Sequence, residues 1–181
     1  PLVTGIIEKL SVEKNIDMAL KVNPTADKVV AILDDSVTAD AERKNFYSAE
    51  AEYPELEFSE INSSELTTAQ LQQAISKVDD KTILIYIVMS KDGSGKHYTS
   101  DQALCMIVDY AKVPVYRMVE AGIGDGLLGG NVVSMYKSGE IAAQMAMDIA
   151  NGTDSAEINV VKDSPNIYCV DEDVMRKFGL E

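Results

Sequence analysis

Apolar residues along this chain alternate between two spacings, and the alternation sets out its elements. From 12 to 22, Ile16, Ala19 and Leu20 repeat at helical spacing, with Ser11 placed to cap the segment and Pro24 to end it. A continuous apolar run, KVVAIL over 28–33, follows and stops at Asp34-Asp35-Ser36. An unbroken run of that length suits a strand buried on both faces, as in a parallel sheet. Residues 39–53 return to helical spacing, with Phe46, Ala49 and Tyr53 on one stripe, and 56–61 reads as a second strand. Thr67 and Gln70 have the spacing of a capping box, and Leu71, Ala74, Ile75 and Val78 then mark a helix that closes at Asp79-Asp80.

The run TILIYIVM over 82–89 is the strongest strand signal. A polar loop over 90–99 leads to a helix over 100–111, with Ser100 as its expected cap and Leu104, Ile107 and Val108 facing inward. A short strand is predicted over 113–118, where Pro114 fits best near the start. The stretch 120–130 then holds five glycines and predicts a mobile or tightly turning connection. Beyond it come a short strand at Val132-Val133, a helix over 138–150 ended by Gly152, and extended stretches at 158–161 and 167–170. A last helix over 174–178 has Asp171 as its cap and Gly179 as its stop. Strand and helix in this rhythm predict an α/β fold: a doubly wound, mostly parallel sheet with helices on both faces.

Composition narrows the function classes. The chain has 181 residues, 46% hydrophobic and 25% charged, an ordinary globular balance. Sixteen basic against 30 acidic residues leave a formal net charge of −14, which argues against nucleic acid and anionic lipid as partners. No apolar run approaches the roughly 20 residues of a membrane-spanning helix. Pro1 stands where an initiator Met would, so the chain is expected to be a processed or excised piece of something longer. Cys105 and Cys169 both fall in apolar patterns and are expected to behave as small buried hydrophobes, with pairing left open. Two isolated cysteines and one histidine build no zinc site. No metal or cofactor is expected.

Motifs for catalysis fail on inspection. Gly95-Lys96 resembles the end of a phosphate-binding loop, but Ser90 stands where the first glycine belongs and His97 where Ser or Thr should follow. Gly124 to Gly129 matches G-x-G-x-x-G, yet it sits late in the chain and precedes a strand rather than a helix, so a hinge is the plainer reading. His97 stands in a polar loop without an orienting partner, and no G-x-S-x-G elbow is present. Ligands of open α/β sheets bind beyond the carboxyl ends of the strands. That rule selects Asp35 and Ser36 after the first strand, Ser90 and Asp92 after the strong one, and Tyr116 and Glu120 near the glycine-rich crossover, as polar contacts with Tyr116 as a stacking face.

Several stretches resemble a known family. The opening Val3-Thr4-Gly5-Ile6, then NPTADKVVAILDDS, AKVPVYRMVEAGIGDGLLGG, GNVVSMYKSGEIAAQMAMDIANGT and the closing SPNIYCVDEDVMRKFGL are similar to ABC-transporter substrate-binding-like proteins of the type I periplasmic-binding fold. The element Ser164-Pro165-Asn166-x-Tyr168 looks most like the versions found in extracytoplasmic sensor regions of membrane histidine kinases and diguanylate cyclases. The resemblance covers nearly all of the chain but only the second part of the family's usual length.

It implies three segments: 1–121 as the C-terminal lobe, 122–152 as a glycine-rich hinge crossing with a helix of the other lobe, and 153–181 as return strands and terminal helix. It further implies an extracytoplasmic, non-catalytic domain that closes on a small molecule, within a parent protein anchored to a membrane. Without its lobe-mates the helix after Ser138 must expose apolar surface or pair with another chain, so self-association is expected. The rival from another class is a flavodoxin-like phospho-acceptor or metal-dependent enzyme using Asp34 and Asp35.

Overall fold

The computed structural model describes residues 3–180, and its centre is one six-stranded sheet. The strands are β1 (Lys28–Leu33), β2 (Glu57–Asn62), β3 (Thr82–Tyr86), β4 (Val115–Arg117), β5 (Gly129–Val133) and β6 (Asn166–Val170), in the order β2-β1-β3-β4-β5-β6. Each neighbour is parallel until β6, which runs antiparallel to β5 at the edge. The helices are α1 (Val12–Val22), α2 (Val37–Ser48), α3 (Thr68–Ser76), α4 (Ser100–Tyr110), α5 (Met135–Ala150) and α6 (Glu172–Phe178).

Strand periodicity divides the core in two. Ile83, Ile85 and Ile87 join Val12, Ile16, Phe46 and Val174 on the face covered by α1, α2 and α6. Leu84 and Tyr86 point the other way, to Leu71, Ile75 and Ile107 of α3 and α4. The sheet is therefore doubly wound, as its apolar pattern predicts.

Local chemistry sets the element ends. Thr67 and Gln70 form the expected capping box, and an identical box at Thr99 and Gln102 starts α4 one residue before Ser100 could cap it. The predicted helix over 39–53 is α2 followed by a 3-10 turn, Ala49–Glu52, yet Phe46, Ala49 and Tyr53 are buried as the stripe requires. α5 begins at Met135 rather than 138, because the Ser134 hydroxyl accepts from the Lys137 amide. Cys105 is exposed and Cys169 half-buried, and both are free thiols, so the expectation of two buried hydrophobes is corrected: Cys105 faces outward on α4, and β6 is an edge strand with no fully buried position.

The glycine-rich stretch contributes to the sheet. Gly129 and Gly130 open β5, which is buried throughout, and the chain leaves the sheet only after Val133. Both glycines have positive φ, and both sit where a Cβ has no room. It would lie 2.2 Å from the Cys169 carbonyl oxygen at Gly129 and 1.8 Å from Asn15 Oδ1 at Gly130. Asn15 occupies that space because its side chain bonds the Asn131 backbone in both directions, fixing α1 to β5. No residue of α5 is buried, in contrast to the other helices of the fold.

Candidate ligand-binding site

The helices after β1 and β3 leave to opposite faces, so a crevice opens at the carboxyl ends of these adjacent strands. Asp34 closes its floor. The side chain is fully buried, with Oδ1 accepting from the Ser36 amide at 2.9 Å and Oδ2 from the Ser90 amide at 2.8 Å and the Ser90 hydroxyl. Burial alone would push its carboxyl up, but the bonds from Ser36 and Ser90 reverse this and hold it below the usual carboxylate range. Asp34 thus ties the end of β1 to the loop after β3.

The predicted residues separate on this frame. Asp35 is exposed at the rim, accepting from Asn62 Nδ2 at 2.9 Å and pairing with Arg43 at 3.2 Å. Ser36 caps α2 through its hydroxyl. Ser90 lies half-buried beside Asp34. Glu120 accepts the Met135 amide at 3.3 Å and so sits on the N-terminus of α5, where the helix dipole favours a carboxylate.

Asp92 has a different setting: it is 2% exposed and takes donors from Thr68, Ser94, Lys96 and Tyr98. Burial works against its charge, yet these donors hold its carboxyl far below the usual range. Its oxygens organise the 92–98 loop. Tyr116 is a core residue on the α1 and α6 face, where burial raises its phenol to about 12. Its open side borders a cavity of about 300 Å³ lined by Thr82, Pro114 and Phe178, at the amino ends of β3 and β4. It offers no stacking face to the crevice.

One residue later, Arg117 occupies the place intended for Tyr116. It stands in register with Tyr86 on the neighbouring strand, and its guanidinium lies 4.1 Å over that ring. Nη1 donates to the Tyr86 and Ile87 carbonyls at 2.9 and 2.6 Å, across the end of β3, and Nε to the Ala121 carbonyl at 3.3 Å. Two clefts meet at this side chain. One of about 420 Å³ is bordered by Tyr86, Met89, Ser90, Tyr98 and Leu104; the other, about 310 Å³, by Leu10, Thr38, Val88, Val119 and Val133. The signal that could have found Arg117 is alternation: in VPVYRM, Tyr and Arg must face opposite sides of the sheet.

The remaining motifs have structural partners. The Gly124 amide donates to the Asp171 carboxylate at 3.0 Å, so a protein acid holds the position a phosphate would need. Asp34 and Asp35 are engaged as described, and among the described residues no group of three His, Cys, Asp or Glu is placed to hold a metal ion. No described helix is long and apolar enough to cross a membrane.

Over residues 1–181 the sequence matches the family model described as ABC transporter substrate binding protein. No curated protein matches it. Among solved structures, the fold is similar to a ligand-free, open substrate-binding protein with adhesive properties from Clostridium difficile (TM-score 0.75, 20% identity, 99% of this chain and 59% of that one). It is also similar to an ABC domain in complex with L-Trp from Streptococcus pneumonia (TM-score 0.69, 17% identity, 99% and 59%). A third likeness is a conserved domain protein from Vibrio cholerae (TM-score 0.69, 16% identity, 99% and 58%). At these identities the likenesses establish the fold, and the chain spans less than two thirds of each neighbour's length.

Proposed function

This chain belongs to the family of ABC transporter substrate binding proteins, and from that premise we propose that it is the small-molecule-binding part of an extracytoplasmic sensor or solute-binding protein. The reading is of a domain that catalyses nothing, within a parent protein held at a membrane. The observation that carries it is the crevice at the carboxyl ends of β1, β3 and β4, where Ser90 and Arg117 border open clefts and Asp35, Ser36 and Glu120 lie at the same strand ends. α5 leaves from the same rim with no buried residue, which suits a helix whose partners lie in an opposing lobe. Ligand held between two such lobes favours the closed state only by its differential affinity for it. The 122–152 segment is then a turn and strand followed by the departure to that lobe, and Asp92 and Tyr116 support the site from behind.

The test is a thermal-shift screen of the full-length protein against small metabolites, followed by small-angle scattering with any hit. L-Trp, bound in the pneumococcal neighbour, is a natural first probe. A saturable stabilisation with a fall in radius of gyration is expected. Stabilisation without compaction would overturn lobe closure, and turnover of a hit would overturn the binding reading.

A further inference from the structure

At the rim, the guanidinium of Arg117 has no acidic side chain among the described residues paired with it. Among the described residues, ion pairs form on Lys28, Arg43, Lys81, Lys137 and Arg176, and none on Arg117. Asp34 is spent on Ser36 and Ser90, and Glu120 on the Met135 amide. Arg117 is half-buried, and its desolvation is offset by no internal counter-charge other than the Tyr86 ring and three carbonyls. A desolvated guanidinium is costly unless it is paired. Nη1 has both hydrogens engaged and Nε a long bond, while Nη2 donates to no protein acceptor among the described residues.

We propose that Arg117 holds the carboxylate of the ligand, which enters the 420 Å³ cleft beside Tyr86 and takes the free Nη2 donors. This rests on the binding function proposed above and names the chemistry of that site. The guanidinium plane is fixed by the Tyr86 ring and the carbonyls at the end of β3, so its free edge is held in one direction before ligand arrives. A planar carboxylate matches such an edge, taking Nη2 together with the weakly engaged Nε in two parallel bonds. Asp101 and Asp125 border the same cleft, and the chain carries a net charge of −14. Those charges disfavour a dianion such as phosphate and favour a monoanion or a zwitterion.

The experiment is calorimetric titration of the full-length protein with the common L-amino acids, simple monocarboxylates and inorganic phosphate, each acid that binds being compared with its primary amide. A carboxylate is expected to bind best and its amide roughly a hundredfold more weakly, the usual cost of leaving a charged partner unanswered. R117Q is expected to reduce the acid to the amide's affinity while changing the amide little. Should R117Q fail to fold, the acid and amide comparison on the unaltered protein decides. Equal binding of acid and amide, a best ligand that is neutral or phosphate, or full affinity in folded R117Q overturns the proposal and leaves the binding function standing. No binding by any probe overturns both.

Discussion

Asp92 and Arg117 are opposite solutions to placing a charge near the surface of this sheet. Asp92 is surrounded by protein donors from Thr68, Ser94, Lys96 and Tyr98, so its charge serves the loop it sits in. Its folded pKa is depressed, so the stabilisation it gives is present above the unfolded carboxylate value and is lost as pH falls through the lower folded one. Asp92→Asn is expected to lower stability near neutral pH by about 1–3 kcal/mol, since the amide cannot accept the same set of bonds. Its urea midpoint should also fall less steeply than the unaltered protein's between about pH 4 and pH 2. Parallel acid limbs for the two proteins would contradict this. The sequence located the right loop but not the role of this acid, because strand-end position says nothing about how many donors converge on a side chain. Tyr116 and Arg117 show the same limit: the apolar pattern found β4, but which residue faced the crevice depended on the phase of the pleat.

At the scale of elements, the sheet depends on how closely α1 and β6 approach β5. Gly130→Ala must displace Asn15, whose amide spans α1 and the Asn131 backbone, and must hold a positive φ. A loss of roughly 2–4 kcal/mol in urea unfolding is expected, from strain plus a broken buried bond. Gly124→Ala, with open space for a Cβ, carries only the strain of its φ and should cost less. Thr99→Ala, which removes one half of a capping box, is expected to cost about 1 kcal/mol. Comparable losses at Gly124 and Gly130 would remove the packing explanation. The elements themselves were legible where a cap formed, as in α3 and α6; α1 was legible from its apolar stripe alone, since Ser11, expected to cap it, makes no side-chain cap bond. β5 was legible only at Val132-Val133, because its opening Gly-Gly has no apolar pattern, and those glycines answer to neighbours far away in sequence, Cys169 and Asn15.

For the molecule as a whole, two features pull in opposite directions. α5 presents Met147 and Ile149 to solvent and buries no residue, while the surface as a whole carries a net charge of −14. Apolar surface on α5 favours pairing of this 181-residue chain with a second copy, whereas like charge spread over both copies opposes it. Salt distinguishes the two terms, because screening weakens the repulsion and leaves the apolar contact intact. Sedimentation velocity on the 181-residue chain is therefore expected to show concentration-dependent association that strengthens as sodium chloride rises. Association held by ion pairs would have the reverse dependence. Met147→Glu and Ile149→Glu together are expected to abolish it without lowering the melting temperature by more than a degree or two, since both side chains are exposed in the folded chain. A monomer at every concentration and salt level would show that the apolar face of α5 is too narrow to overcome the charge, and the helix would then need an opposing lobe of complementary charge to be covered at all.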